Sequence, residues 1–412
     1  MSPDISLDDI KAAAATLGDT VVRTPLVPSQ PMSGTAGCSL RLKLENLQNT
    51  GSFKVRGAGA KLASLGVDAT KAGIVAASAG NHAQGCAYHA RRLGIPATIV
   101  MPTDTPFSKI ERSRALGATV VLQGDSVDTA AGVALAMAER DNLAFIHPYD
   151  DPDIIAGQGT IGLELIEEWP DLDTIIVPIG GGGLIAGIAI AVKTLKPAAR
   201  IIGVEAALFP SMSDTLQGRP PTSGGTTIAD GIAVKEPGRI TRAIIQELVD
   251  DVVTVDEPAL EYAVARLAET QKVVAEGAGA AALAAVLSEP GRFVDGRVVA
   301  IVSGGNIDCR LLAELLNRSL VRDGRLVRLR IGLVDRPGML GQIADIIGAE
   351  GGNIIEINHQ RLFYDVPARQ AEIDAIIETR NVDHVRDIVA ALIENGHTTR
   401  VLSSRSSDNT SA

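Results

Sequence analysis

The sequence predicts an α/β fold built on parallel sheets, followed by a small α+β domain. Three observations carry this. Short runs such as Gly73-IVAAS, Thr174-IIVPI and Arg297-VVAIV are apolar throughout rather than alternating, as strands buried on both faces are. They alternate with helix-like stretches of ten or more residues, the rhythm of βαβ units. From Leu326 the rhythm changes to βαββαβ over about 75 residues, enough for a separate domain.

The elements follow in order. Gly73-IVAAS is a strand, and His82 to Arg92 a helix closed by Gly94. Ala97-TIVM is the next strand, and Pro106 to Leu116 a helix closed by Gly117. Ala118-TVVL, a helix over Val127 to Asp141 and the strand Leu143-AFIH come next, then a helix over Ile154 to Trp169. Thr174-IIVPI, a helix over Leu184 to Leu195 and Arg200-IIGVE continue the alternation. A loop rich in Gly, Pro and Thr, Gly218-RPPTSGGTTIADG, interrupts it. Helices over Glu257 to Gln271 and Gly277 to Ser288, the strand Arg297-VVAIV and a helix over Cys309 to Arg318 complete the first part, taken as residues 1–320. The second part, residues 326–403, reads as strand Val327-RLRIGLVD, helix Pro337 to Glu350, strand Asn353-IIEINHQRL, strand Arg369 to Arg380, helix Val382 to Glu394 and strand His397-TTRVLS. The Ser-rich end, residues 404–412, lacks apolar residues and is expected to be disordered.

Composition narrows the function. The chain has 412 residues, 46% hydrophobic and 21% charged, an ordinary globular balance for two or three domains. Its net charge is −11, which repels phosphate backbones and anionic lipid. Aromatics are only 3%, too few for base-stacking platforms. No nucleic acid or membrane is therefore expected as a partner. Cys38, Cys86 and Cys309 are far apart and odd in number, which fits a reducing, cytoplasmic compartment. The first residues carry acids and no basic n-region, so no signal peptide is expected.

Four segments carry chemistry. Gly180-Gly-Gly-Gly183-Leu184 follows a strand and opens a helix, where consecutive glycines bare their N–H groups and the helix terminus adds positive potential. A phosphate belongs there. No Lys-Ser/Thr pair follows, so it is not a Walker loop. Gly181-x-Gly183-x-x-Ala186 also fits a dinucleotide fingerprint, with Glu205 where a ribose-binding acid would stand. In Thr50-Gly51-Ser52-Phe53-Lys54, capping hydroxyls precede a helix, and Lys54 falls in its first turn. A cation there is disfavoured, which lowers the lysine pKa and suits Schiff-base chemistry. Ser78-Ala-Gly-Asn81-His82-Ala-Gln84-Gly85 lies at a strand's C-terminal edge, where open sheets bind ligands, although Asn81 could simply cap the helix. Ser303-Gly304-Gly305-Asn306 occupies the equivalent place after Arg297-VVAIV, and it too could be a capping turn.

Together these segments resemble the fold type II pyridoxal-phosphate enzymes, specifically the serine/threonine dehydratase family, over about residues 5 to 320. Ser52-Phe53-Lys54-Val55-Arg56-Gly57-Ala58 resembles the family's cofactor-lysine motif, and Ser78 to Gly85 its asparagine loop. The resemblance implies two parallel-sheet α/β subdomains with pyridoxal 5'-phosphate in the cleft between them. It implies that Lys54 carries the cofactor and takes the substrate's α-proton, that Phe53 lies against the pyridine ring, and that Asn81 bonds the ring's 3'-oxygen. Backbone groups of Gly180, Gly181, Gly182, Gly183 and Leu184 would hold the phosphate, and Ser303 would meet the pyridine nitrogen. Ser78, Gly80, Asn81 and His82 would cradle the carboxylate of a small amino-acid substrate.

The implied reaction is β-elimination of L-threonine to 2-oxobutanoate and ammonia, with side activity on L-serine. A hydroxyl at the pyridine nitrogen makes a weaker electron sink than a carboxylate, which favours elimination over transamination. Related serine racemases place a serine where this chain has Ala79, and for the racemases' divalent-metal site this chain offers Glu205 but no second carboxylate after it, so no metal is expected. His147-Pro-Tyr-Asp-Asp-Pro-Asp resembles the dehydratase version of its region, although its acids could serve only as helix-start charges. The C-terminal part, through Asp335-Arg-Pro-Gly-Met-Leu340 and Gly352-Asn-Ile354, resembles an ACT domain, which implies an amino-acid effector and a homo-oligomer, dimer or tetramer. Isoleucine feedback there would place the enzyme in isoleucine biosynthesis. The alternatives are a serine-preferring dehydratase and a non-catalytic amino-acid sensor on the same fold.

Overall fold

Continuously apolar strands demand cover on both faces, and the fold supplies it. A computed structural model describes residues 5–360 and 370–402. It divides into two compact units, Met1–Asp308 and Cys309–Ala412. The helix Cys309–Arg322 falls with the second unit, whereas the sequence reading ended the first part at residue 320.

Among the described residues the first unit contains ten strands: β1 (Leu26–Pro28), β2 (Ser39–Leu44), β3 (Ile74–Ala77), β4 (Ala97–Met101), β5 (Thr119–Leu122), β6 (Ala144–Phe145), β7 (Thr174–Pro178), β8 (Arg200–Ala206), β9 (Asp251–Val255) and β10 (Arg297–Val302). They form two sheets, a six-stranded one in the order β1-β2-β10-β7-β8-β9 and a four-stranded one in the order β5-β4-β3-β6. Every pairing is parallel except the edge pair β1–β2. The chain starts the large sheet, leaves to build the small one, and returns. β7 and all but the first residue of β10 are fully buried, as unbroken apolar runs predict.

Several features depart from the expected elements. The strands and helices expected from Gly73 onward leave out the helix Leu7–Leu17 and the strands β1 and β2. The sequence reading ran from the loop Gly218 to Gly231 straight to the helix at Glu257, and so missed the helix Arg239–Leu248 and the edge strand β9. The helix expected over Glu257 to Gln271 is α-helical only to Arg266, then widens into a π-turn over Leu267–Gln271. The strand expected at Leu143-AFIH pairs only over Ala144–Phe145; Ile146 N–H still donates to the Val75 carbonyl at 2.9 Å, but its own carbonyl meets the His82 ring.

In the second unit, β11 (Leu326–Val334), β12 (Asn353–Gln360), β13 (Gln370–Glu378) and β14 (Thr399–Val401) form an antiparallel sheet in the order β12-β13-β11-β14. With the helices Met339–Ala349 and Val382–Glu394 this is the expected βαββαβ order. Leu329, Ile331, Ile373, Ile377, Ile347 and Ile388 are its fully buried centre. The ends of two expected strands, residues 361–369, and the expected disordered tail lie outside the described residues.

Candidate active site

The four segments singled out above all leave the C-terminal ends of parallel strands, where a parallel sheet places its ligands. Lys54 follows β2, Ser78 to Asn81 follow β3, the tetraglycine turn follows β7 and Ser303 follows β10.

Lys54 opens the helix Lys54–Ser64, behind a Phe53 cap that has no side-chain hydrogen bond. The expected capping hydroxyls do not cap. Thr50 Oγ1 and Ser52 Oγ are buried without a hydrogen-bond partner among the described residues. What holds the segment is backbone: Ser52 bridges Gly304, and Phe53 N–H donates to the Ser303 carbonyl at 3.1 Å. Lys54 is half-buried as a residue, but its amine is deep among protein atoms and donates to the Pro148 carbonyl at 2.6 Å. Burial lowers its pKa to about 8. The direction is the one the helix-start argument predicts, with desolvation as the largest cause. Cys86 is the one opposing influence, yet burial pushes its thiol up to about 12, so at neutral pH it carries no counter-charge. The amine lies 5.3 Å from the centroid of the Phe53 ring.

The segment from Ile146 to Asp151 ties the lysine to the glycine turn. Pro148 receives the amine. Tyr149 packs on the turn so closely that a Cβ on Gly181 would overlap its ring, and one on Gly183 would stand 2.9 Å from its carbonyl oxygen. Gly182 takes φ +94°, which only glycine adopts freely. Asp150 reaches across to the helix Arg239–Leu248 and accepts from the N–H groups of Arg239, Ile240 and Thr241 at 3.0, 2.8 and 3.1 Å. Thr241 in turn donates its hydroxyl to the Gly181 carbonyl at 2.7 Å. Asp151 caps its own helix, Pro152–Glu168, through Asp153 and Ile154 N–H. Both acids are thus helix-start charges, Asp151 for its own helix and Asp150 for one distant in sequence, through which it braces the turn.

Helix capping does not account for Asn81. The cap of the helix Asn81–Leu93 is Gly80, without a side-chain bond. The Asn81 amide instead donates to Glu276 Oε1 at 2.6 Å and accepts from Asn306 Nδ2 at 2.7 Å. Nor is Ser303 to Asn306 a capping turn. Ser303 is 3% exposed and its hydroxyl donates weakly, at 3.4 Å, to the Ala278 carbonyl, while Asn306 also donates to the Thr50 carbonyl at 2.7 Å.

The remaining expected residues divide by what is left free. Ser78 Oγ accepts from Gly80 N–H at 3.1 Å. The His82 ring is buried, with Nε2 3.0 Å from the Ile146 carbonyl, and desolvation pushes its pKa down to about 3. A neutral ring donating to that carbonyl cannot also pair with a carboxylate. The N–H groups of Asn81, His82 and Ala83, in the first helical turn, have no acceptor within their own helix. Glu205 is fully buried and accepts from Met212 and Ser213 N–H at 2.7 and 2.9 Å. It is turned to its own chain, so the ribose-binding acid of the dinucleotide reading is missing. Pro148, Tyr149, Asp150, Thr241 and Glu276 escaped the sequence reading of the site. The segment Pro148 to Asp153 carried a signal, since its three acids, Asp150, Asp151 and Asp153, exceed what one helix start uses.

This arrangement pairs a desolvated amine, which reacts with aldehydes, with a glycine turn opening the helix Gly183–Leu195, whose first N–H groups suit a phosphate. Those residues fit a phosphorylated aldehyde held by both ends. The class so defined is that of lysine-bound cofactor enzymes on two parallel sheets. Residues 17–304 match the family model for pyridoxal-phosphate dependent enzymes, and the chain belongs to that family, with pyridoxal phosphate as its cofactor. The L-threonine ammonia-lyase of Thermotoga maritima is 46% identical over 401 residues, covering 97% of this chain and all of the relative. The processed form of threonine deaminase isoform 2 from Solanum lycopersicum superposes with a TM-score of 0.71 at 39% identity, over 76% of this chain and 91% of that one. Maize serine racemase superposes with a TM-score of 0.72 at 35% identity, over 78% and 99%.

Proposed function

We propose that this chain is an L-threonine ammonia-lyase that releases 2-oxobutanoate and ammonia, with side activity on L-serine. The observation that carries the reading is the buried Lys54 amine, joined through Pro148 and Tyr149 to the tetraglycine turn. The near-complete coverage of the Thermotoga maritima relative supports the choice of threonine.

Bound pyridoxal phosphate supplies the electron withdrawal that weakens the substrate's α-carbon–hydrogen bond. The chain's residues do the rest. With the cofactor bound, N–H groups of Gly180 to Leu184 would anchor its phosphate, Phe53 would lie against its ring, Asn81 would donate to its 3'-oxygen and Ser303 would meet its pyridine nitrogen. Ser78, Gly80, Asn81 and His82 receive the substrate carboxylate, His82 through its main-chain N–H. Lys54, as a free amine, would take the α-proton, and the β-hydroxyl would depart as hydroxide on the side of the tetraglycine turn. The released enamine is hydrolysed in water to the 2-oxo acid and ammonia.

The reading extends to the second unit as an ACT-like regulatory domain that binds an amino acid, and to a cytoplasmic homo-oligomer, dimer or tetramer, as ACT pairing suggests. The test is the visible spectrum and 2-oxo acid release of the purified protein with L-threonine and L-serine, beside Lys54→Ala. A yellow wild type producing 2-oxobutanoate and a colourless, inactive variant are expected. A colourless wild type without product overturns the reading. Repeating the assay with isoleucine or valine tests the regulatory part.

A further inference from the structure

We propose that Glu276 is a positioning residue for the reaction, which with Asn306 locks the Asn81 amide in one orientation. The inference rests on the function proposed above.

The lock is a chain of hydrogen bonds. Asn306 Nδ2 donates to the Thr50 carbonyl and to Asn81 Oδ1, each at 2.7 Å. Both its N–H groups are then used and its orientation is set. Asn81 Nδ2 donates to Glu276 Oε1 at 2.6 Å. Rotating the Asn81 amide by half a turn would set its nitrogen against the Asn306 nitrogen and its oxygen against the Glu276 oxygen. Two attractive contacts would become two repulsive ones. Held as it is, Asn81 retains one Nδ2 N–H to offer the cofactor oxygen.

Glu276 immediately precedes the helix Gly277–Ser288 on the large sheet, whereas Asn81 opens a helix on the small one. The lock therefore also sets one subdomain against the other. Glu276 is 7% exposed, and Gly304 packs so close that a Cβ there would overlap the carboxylate. Burial raises its pKa to about 7. Asp230 adds to the rise, while Asn81, Lys109 and the main chain of Asn306 oppose it. Lys109 and Asp230 are themselves paired at 2.6 Å. The carboxyl group thus changes charge near neutral pH at one bond's distance from Asn81.

The test compares Glu276→Ala and Glu276→Gln with wild type as holoenzymes. It records the cofactor absorption maximum across pH 6 to 9, the cofactor Kd of the stripped proteins, and kcat and KM separately. Removing a hydrogen bond to a charged group should weaken cofactor binding about tenfold, shift the maximum and lower kcat similarly with KM little changed. Glutamine keeps the acceptor and should restore the maximum and most of kcat. It cannot titrate, so the spectral change near pH 7 should be lost. Asn306→Ala, which opens the lock from the other side, should shift the maximum as Glu276→Ala does and carries the test if that variant fails to fold. Wild-type spectra and kcat in the alanine variants, with active wild type, would overturn this inference alone. A wild type that binds no cofactor would take the proposed function down with it.

Discussion

The ring of Tyr149 occupies the space a Cβ on Gly181 would need. The glycine is therefore required by its neighbour as well as by an exposed N–H. Gly181→Ala should displace the ring or the turn at a cost of about 1–3 kcal/mol, and cofactor affinity should fall about ten- to a hundredfold. Tyr149→Ala combined with Gly181→Ala should recover part of that loss, because the overlap is gone. Titration of the stripped proteins with pyridoxal phosphate measures both. Equal affinity in wild type and Gly181→Ala would mean that the turn does not bind the phosphate.

Lys54 makes stability depend on pH in the cofactor-free protein. Its folded pKa is about 8 against an ordinary 10.5. Below pH 8 the amine is protonated in both the folded and unfolded states, and the full burial penalty applies. Between pH 8 and 10.5 the folded protein has shed a proton that the unfolded chain keeps, so stability rises with pH. Lys54→Met should therefore be more stable than wild type at pH 7, by about 1–3 kcal/mol, with the gap closing toward pH 10. Thermal melts of both stripped proteins at the two pH values give the answer, and a gap independent of pH would place the amine in water.

Arg56 heads a buried charge network that braces the lysine helix. It is 1% exposed, and its guanidinium donates to both Glu45 oxygens at 2.8 Å and to Glu164 at 2.6 and 3.0 Å. Glu45 is fully buried and Arg56 is its cation partner among the described residues, so removing Arg56 leaves its carboxylate uncompensated. Arg56→Leu should cost about 3–5 kcal/mol, several times the loss at an exposed pair such as Arg114–Glu111. Urea unfolding of Arg56→Leu beside Arg114→Leu compares them.

Much of this was legible in the sequence, for physical reasons that also mark its limits. β7 and β10 announce themselves because strands covered on both faces are apolar throughout. β9 did not, since only Val255 in it is fully buried. Lys54, Asn81 and Gly180 to Leu184 stand out because they follow strands at junctions rich in Gly and Ser, and those junctions share one edge. What holds them was hidden, because each brace is distant along the chain. Glu276 is 195 residues from Asn81 and Asp150 is 91 from Thr241. Pro148 acts through a carbonyl that every residue possesses. The local signal at Thr50 and Ser52 misled, since a hydroxyl before a helix reads as a cap whether or not its oxygen reaches the helical N–H groups.

Asp150 gives the last prediction, because it couples a helix start to the glycine turn. It accepts three N–H groups of the helix Arg239–Leu248, and Thr241 on that helix holds the Gly181 carbonyl. Asp150→Ala should cost about 1–2 kcal/mol of stability through the lost cap. It should also weaken cofactor binding, although Asp150 makes no contact with the turn in the bonds just named. Thr241→Val should weaken binding with a smaller loss of stability, since it removes one bond of about 0.5–1.5 kcal/mol. If the aspartate acts through the threonine, the two losses of affinity will not add, and the double variant will bind little worse than Thr241→Val alone. Losses that add in full would mean that Asp150 and Thr241 serve the turn independently.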